Sequence, residues 1–146
     1  MKLTIYLAGE IHSNWRGKVK ALAEEKDLSC TFVGPQENHG RSDEIGEMIL
    51  GSQPNSIVKD EAASRINNLR TQVLMEQSNL VIALFGDEYK QWNTAMDVSA
   101  ALTAGKPVIL IRPEHLHHPL KELSNKANVT VETIEQALSV VHYIFE

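Results

Sequence analysis

The stretch from Leu80 to Pro107, LVIALFGDEYKQWNTAMDVSAALTAGKP, decides the fold class of this chain. It opens with an unbroken apolar run from Val81 to Phe85, which is typical of a central parallel strand covered on both faces. A polar loop follows, and then a short, Ala-rich helix from about Thr94 to Ala104, which Gly105 and Pro107 terminate. This order of strand, loop and helix predicts one unit of an α/β sheet.

Asp97 is the acidic residue that this predicted helix carries close to its start. Asn93 or Thr94 is the predicted N-cap, which places Asp97 in the first turn or just after it. The loop 86–91 follows the carboxyl end of the strand, where open α/β sheets build their ligand sites. Because helix amides favour an anion there, Asp97 is a candidate carboxylate nucleophile. The alternative is that Asp97 is only a favourable charge at a helix end.

The composition restricts the class of protein. The 146 residues are predicted to form one domain, 1–146, and a net charge of −5 with scattered Lys and Arg argues against a nucleic-acid partner. Cys30 is the single cysteine, which excludes an intrachain disulfide and predicts a core thiol. No apolar run approaches the roughly 20 residues of a membrane helix, and the N-terminal run is interpreted as a strand. We therefore expect a cytoplasmic protein with no membrane contact.

The rest of the chain continues the alternation of strands and helices. Strands are predicted at 3–8, 28–33, 80–85, 108–111 and 128–131. Helices are predicted at 15–26, 60–77, 94–104 and 132–145, with shorter helical segments at 42–50 and 120–126. The polar insert 34–60 is either a binding loop or a solvated excursion. Five strands alternating with helices predict a doubly wound, five-stranded parallel sheet, a flavodoxin- or Rossmann-like three-layer sandwich.

Several residues that follow strand ends are candidate ligand contacts. They are Gly9, Glu10, His12 and Trp15 after the first strand, and Asp87, Trp92 and Asn93 after the third. Either tryptophan can stack on a planar heterocycle, although packing is the alternative for both. Tyr6 lies on a buried strand, and a carboxylate in the adjacent cleft would satisfy its hydroxyl.

Other chemistries are less well supported by the sequence. No phosphate-binding glycine loop and no Gly-x-Ser-x-Gly motif is present. The histidines at 115, 117 and 118 match no established zinc spacing, so no metal site is predicted. A metal-dependent hydrolase built on these histidines is the third and weakest hypothesis.

Three segments together resemble the nucleoside 2-deoxyribosyltransferases. They are Tyr6 to Gly9 (YLAG), Ser78 to Ala83 (SNLVIA) with Asn93 to Asp97 (NTAMD), and Ala104 to Val108 (AGKPV). The opening YLAGEIHSNWR and the chain length more closely resemble the YtoQ family of that superfamily. The resemblance covers essentially the whole chain, and the order and spacing of the motifs carry it.

The resemblance implies cleavage or transfer at the N-glycosidic bond of a (deoxy)nucleoside or nucleotide. A carboxylate attacks the anomeric carbon and expels the base, and a second base or water then takes the sugar from the ester. Asp97 aligns with that nucleophile, and Tyr6 with the tyrosine that hydrogen-bonds it. The resemblance also implies a small-molecule substrate, no cofactor and a homo-oligomer.

Three departures from the family pattern support an alternative. Asp97 stands where the family has a glutamate, Thr71 where it usually has an aspartate, and Gln91 where it has a loop acid, which Asp87 or Glu88 would have to replace. The alternative is a non-catalytic nucleoside or nucleotide sensor that has lost the activity of the family.

Overall fold

The three central strands of the sheet, Leu3–Ala8, Leu80–Leu84 and Val108–Ile111, are buried on both faces, whereas the two edge strands are partly exposed. The computed structural model describes residues 1–89 and 91–146. Within this described part, five strands form one all-parallel sheet in the order β2-β1-β3-β4-β5. The strands are β1 (Leu3–Ala8), β2 (Cys30–Val33), β3 (Leu80–Leu84), β4 (Val108–Ile111) and β5 (Val129–Val131). The predicted α/β class and doubly wound parallel sheet are confirmed.

Helices cover both faces of the sheet. They are α1 (Trp15–Glu25), α2 (His39–Leu50), α3 (Ser56–Glu76), α4 (Trp92–Thr103), α5 (Lys121–Lys126) and α6 (Ile134–Ile144), with a short 3₁₀ turn at Glu114–Leu116. Ile5 and Leu7 of β1 pack towards α1 and α6, whereas Tyr6 and Ala8 pack towards α3 and α4. This alternation along one strand places Tyr6 on the α3–α4 side. No helix in the described ranges is both long and apolar enough to cross a membrane.

The connections leave a crevice at the carboxyl edge of the sheet. In this order the chain leaves β1 towards β2 and leaves β3 in the opposite direction, towards β4. The loops after β1 and β3 diverge at this point, which is the topological switch point where open α/β sheets bind ligands. Ala8 and Ala83 are paired at the ends of these two strands and mark its floor.

The insert 34–60 contains α2 and the start of α3, which together form a helical hairpin. This differs from both interpretations of the sequence, a binding loop and a solvated excursion. α2 begins after the N-cap Asn38, whose Oδ1 accepts from the Arg41 amide at 3.0 Å. α3 begins after Asn55, which caps the Val58 amide at 3.0 Å. The helix starts expected at residues 42 or 43 and at residue 60 are therefore too late. In each case an asparagine supplies the N-cap further upstream.

A buried glycine lets the two helices of this hairpin approach closely. A Cβ at Gly46 would lie 2.8 Å from Ala62 Cβ and 2.8 Å from the backbone nitrogen of Ala63. Both contacts are tighter than close-packed interiors allow, and one of them is to rigid backbone. The α2–α3 contact therefore depends on the absence of a side chain at this position.

We predict that Gly46→Ala lowers the free energy of unfolding by about 1–3 kcal/mol, because the added methyl group overpacks the helix contact. Gly40→Ala is the matched control on the same helix, since a Cβ there would have its nearest neighbour at 3.6 Å. Urea denaturation of both variants measures the difference. Equal stabilities of the two variants would contradict the close contact.

Candidate active site

Asp97 lies in the second turn of α4, not in the first. The helix begins at Trp92 after Gln91, whose backbone is left-handed with φ of 51°. The Gln91 side chain does not cap the helix: its Nε2 donates to the carbonyls of Gly86 at 2.7 Å and Tyr89 at 3.0 Å. The predicted N-caps Asn93 and Thr94 are wrong for this reason. Because the field of the helix amides falls off within the first turn, burial dominates the environment of Asp97.

A cleft of about 330 Å³ between α3 and α4 contains the Asp97 side chain. Thr71 and Met75 of α3 line it from one side, and Met96 and Asp97 of α4 from the other. Burial raises the pKa of Asp97 to about 6. No hydrogen bond or ion pair to this carboxylate occurs in the part of the chain that the structure describes. Asp97 is therefore a weakly solvated carboxylate that is mostly ionised at neutral pH.

Tyr6 presents an unused hydroxyl next to this cleft. Its Oη is buried and has no hydrogen-bond partner among residues 1–89 and 91–146. Burial raises the pKa of Tyr6, the Thr71 side chain partly offsets this, and the negative charge of Asp97 raises the pKa further. Thr71 thus lies close to the phenol without meeting the geometry of a full hydrogen bond. The phenol is a protonated donor, and a buried donor without a partner is costly enough to suggest a ligand or a closed state.

The loop after β1 is fixed mostly by its own hydrogen bonds. The Glu10 carboxylate accepts from the backbone amides of His12 and Ser13 at 2.5 and 3.0 Å and from the Ser13 hydroxyl. Burial alone would raise the pKa of Glu10, but these bonds outweigh it and lower the pKa. Gly9 is required here, because a Cβ would lie 2.6 Å from Cζ2 of Trp15. Glu10 and Gly9 therefore shape the rim of the crevice.

Trp15 is part of the core and offers no face to a ligand. Its side chain is 4% exposed, its Nε1 donates to the Glu10 carbonyl at 3.0 Å, and the Arg16 guanidinium lies 4.6 Å from the ring centroid. Of the two readings of this residue, packing is correct, and its assignment as a ligand-stacking residue is wrong. Trp92 is different, since it is 74% exposed at the start of α4, next to the exposed Asn93.

Arg16 is a buried residue that the sequence does not single out. Its guanidinium donates to three carbonyls at the end of β1: Leu7 at 3.0 Å, Gly9 at 2.9 Å and Glu10 at 2.6 Å. Burial lowers the pKa of Arg16, and the nearby Glu37 carboxylate opposes this. The only sequence signal is an arginine on the inner face of the first turn of α1, directly after the strand-end loop.

The loops after β3 and β4 meet at the rim of the crevice. Oδ1 of Asp87 is in hydrogen-bonding contact with Nε2 of His115. The ring of His12 contacts Tyr89, with centroids 4.9 Å apart, and His39, with centroids 5.7 Å apart. These rings join the loop after β1, the start of α2 and the loop after β3 above the switch point. In the described ranges, no three His, Cys, Asp or Glu side chains are grouped closely enough to hold a metal ion.

Solved structures with this architecture include a deoxyribosyl-transferring enzyme. A 2-deoxyribosyltransferase from Bacillus psychrosaccharolyticus superimposes with a TM-score of 0.56 at 20% identity, covering 92% of this chain and 89% of the other. A conserved protein from Enterococcus faecalis V583 gives a TM-score of 0.62 at 16% identity, covering 95% and 96%. At these identities the likeness establishes the shared fold.

Sequence comparison then defines the family. The family described as nucleoside 2-deoxyribosyltransferase YtoQ matches residues 6–145, and the chain belongs to it. A Bacillus subtilis (strain 168) relative named "Uncharacterized protein YtoQ" is 63% identical over 146 residues, covering 100% of this chain and 99% of the relative. The resemblance identified from the sequence motifs is confirmed.

The raised pKa of Asp97 predicts a pH-dependent stability change. The unfolded carboxyl ionises near its ordinary value of 3.8, whereas the folded one holds its proton to about pH 6, so stability falls as the pH rises through this window. Asp97→Asn removes the free-energy cost of holding an ionised carboxylate in this buried position. The variant should therefore be more stable than the wild type by up to about 3 kcal/mol at pH 7.5, but not at pH 4. Asp60→Asn, at an exposed position of α3, is the control. Chemical denaturation at both pH values measures the effect, and an Asn variant that is no more stable at pH 7.5 would contradict it.

Proposed function

We propose that this protein cleaves or transfers the N-glycosidic bond of a deoxynucleoside or deoxynucleotide, with the Asp97 carboxylate as nucleophile. One observation carries the proposal: a partly buried carboxylate, with no hydrogen-bond or ion-pair partner among residues 1–89 and 91–146, faces a cleft beside the phenol of Tyr6, which has no hydrogen-bond partner there either. A carboxylate that only stabilised the fold would be paired or exposed to solvent. The name of the family, nucleoside 2-deoxyribosyltransferase, supports deoxyribose as the sugar and the N-glycosidic bond as the bond that is broken.

The reaction proceeds in two displacements at the anomeric carbon. An Asp97 oxygen bonds to C1′ as the C1′–N bond breaks, and the departing base keeps the electron pair and takes up a proton. The deoxyribosyl ester on Asp97 is then attacked at C1′ by a nitrogen of a second base or by water, which restores the carboxylate and loses a proton. Retaining glycosidases divide their reaction in the same way, through a covalent glycosyl ester of a carboxylate.

Tyr6 orients the nucleophile in this mechanism. Its phenol remains protonated because burial and the charge of Asp97 both raise its pKa. A neutral donor held beside a carboxylate can hydrogen-bond one oxygen and direct the other towards C1′. Substrate closure would bring the two groups together and satisfy the buried hydroxyl.

The crevice rim supplies candidate contacts for the base and sugar. Gly9, Glu10 and His12 approach from the loop after β1, Asp87 from the loop after β3, and Trp92 and Asn93 from the start of α4. The ring of His12 lies against the ring of Tyr89, so a planar base can stack on one of these two rings in place of the other. We assign these six residues to substrate binding.

A second candidate function has one specific observation in its favour. Thr71 faces the cleft at the position where the family usually carries an acid, so no carboxylate accompanies Asp97 on that wall except Glu76 at its far end. A sensor that binds a nucleoside or nucleotide without turnover would need no such acid. Ligand binding without base release by the wild-type protein would favour the sensor.

We also propose self-association. Large apolar side chains are exposed on α3 and α6: Leu69 is 63% exposed and Tyr143 76%. Apolar surface of this kind is expected at contacts between subunits. Light scattering should show a particle larger than one chain, and Leu69→Glu should shift it towards the monomer. A monomeric wild-type protein at high concentration would contradict self-association.

The nucleophile is tested by release of free base. Deoxynucleosides and deoxynucleotides are incubated with the protein, with and without an acceptor base, and the products are separated by chromatography. Asp97→Ala should reduce base release by more than about a thousandfold, the scale seen when a catalytic nucleophile is removed. Asp60→Ala, which removes an exposed acid from α3, is the control. Undiminished base release by Asp97→Ala would exclude this nucleophile.

The pH profile of base release follows from the same carboxyl group. Protonation of Asp97 removes the nucleophile, so the rate should fall about tenfold per pH unit below a pKa of about 6. Steady-state rates between about pH 4.5 and 8 measure this limb. A rate that stays constant below pH 6 would show that another group carries the reaction.

A further inference from the structure

A second groove lies at the carboxyl ends of β1 and β2, next to the Asp97 cleft. Its volume is about 260 Å³, and it is bounded by α1, by α3 and by the turn after β2. Its charged lining residues are Arg16 and Lys20 of α1, Arg70 of α3, and Glu37. Arg16 and Lys20 are four residues apart and so share one face of their helix. Three cations and one acid therefore converge here in a chain whose net charge is −5.

These three cations lack carboxylate partners. Among the described residues, the ion pairs involve other side chains and include none of Arg16, Lys20 and Arg70. Arg16 is only 3% exposed, its guanidinium donates to three carbonyl groups, and the Glu37 carboxylate acts on its charge from the same groove. Glu37 is the one acid among the residues that line the groove, against three cations, and an anionic ligand would offset the remaining positive charge.

The groove is also built to present donors. Arg70 Nη1 donates to the Gly34 carbonyl at 2.6 Å, which holds the guanidinium over the turn and leaves Nε and Nη2 for a ligand. A Cβ at Gly34 would lie 3.1 Å from the Leu7 carbonyl oxygen and 3.4 Å from Arg16 Nε, so the turn approaches Arg16 closely. A guanidinium held in place with free donors suits the oxygens of a phosphate.

Helix α3 lies between this groove and the Asp97 cleft, and adjacent residues of the helix line the two sites. Arg70 and Leu74 line the groove, whereas Thr71 and Met75, each one residue further along, line the cleft. Tyr6 lies within electrostatic reach of both sites, since the charges of Arg16 and Arg70 lower its pKa and that of Asp97 raises it. The two sites are therefore neighbours, lined by adjacent residues of α3.

We propose that this groove binds the 5′-phosphate of the substrate, so that the preferred substrate is a 2′-deoxynucleoside 5′-monophosphate. The assignment rests on the proposed function of Asp97. His39 and Arg41 of α2 do not line this groove; their side chains contact Asp43 at 3.1 Å and Met48 Sδ at 3.2 Å, respectively.

Calorimetry with three probes tests the phosphate site: a 2′-deoxynucleoside 5′-monophosphate, the matching deoxynucleoside and inorganic phosphate. The monophosphate should bind at least about tenfold more tightly than the deoxynucleoside, as expected for hydrogen bonds between charged groups. Arg70→Gln and Lys20→Gln should each remove most of this advantage. Arg65→Gln on α3 and Lys18→Gln on α1 are matched controls, because neither residue lines the groove.

Equal affinities for monophosphate and deoxynucleoside would overturn the assignment, even if base release from the deoxynucleoside still depended on Asp97. Inorganic phosphate bound through Arg70, with no gain for the monophosphate, would also overturn it, because the groove would then be separate from the substrate. A gain that Arg70→Gln and Lys20→Gln remove would support the phosphate site even if no base were released, an outcome in which only the proposed catalysis fails.

Discussion

The hydrogen bonds from the Arg16 guanidinium to the carbonyls of Leu7, Gly9 and Glu10 fix how the chain leaves the central strand β1. Both sides of the candidate site depend on this turn. Tyr6 occupies the last part of the strand, the rim residues 9–12 follow it directly, and Arg16 itself forms a wall of the cationic groove. Since Arg16 is buried, its replacement would remove these hydrogen bonds, including those to the buried Leu7 carbonyl.

Around this turn the protein keeps opposite charges in separate places. Asp97 lies in a mostly apolar cleft, whereas three cations and a single acid, Glu37, line the neighbouring groove. Direct pairing of Asp97 with Arg70 would have lowered the pKa of Asp97, but would have occupied the carboxylate that we propose as nucleophile. Because the groups are separate, the carboxylate keeps a raised pKa and the cations keep hydrogen-bond donors that a ligand can use. Binding sites are expected to hold such groups, which reduce the stability of the fold.

The sequence predicted the parts of this structure that follow from simple apolar patterns. The strand Val108–Ile111 matches its prediction residue for residue because Pro107 and Arg112 bound a continuous apolar run. Helix starts were less predictable, since Gln91 begins α4 through a left-handed backbone and not through a capping side chain. The buried position of Trp15 and the three acceptors of Arg16 could not be predicted, because both depend on a loop that folds back over Gly9. The motif resemblance located Asp97 and Tyr6, but only the structure relates them to Thr71 and to the second groove.

The central claim is that Asp97 becomes covalently bonded to the sugar. The most direct measurement is mass spectrometry of the protein after incubation with a 2′-fluorinated deoxynucleotide, whose electron-withdrawing fluorine slows breakdown of the ester. We expect the intact protein to gain the mass of one fluorinated sugar phosphate, and peptide mapping to place it on the peptide that contains Asp97. Release of the base with no adduct on that peptide, or an adduct that persists in Asp97→Ala, would contradict the mechanism.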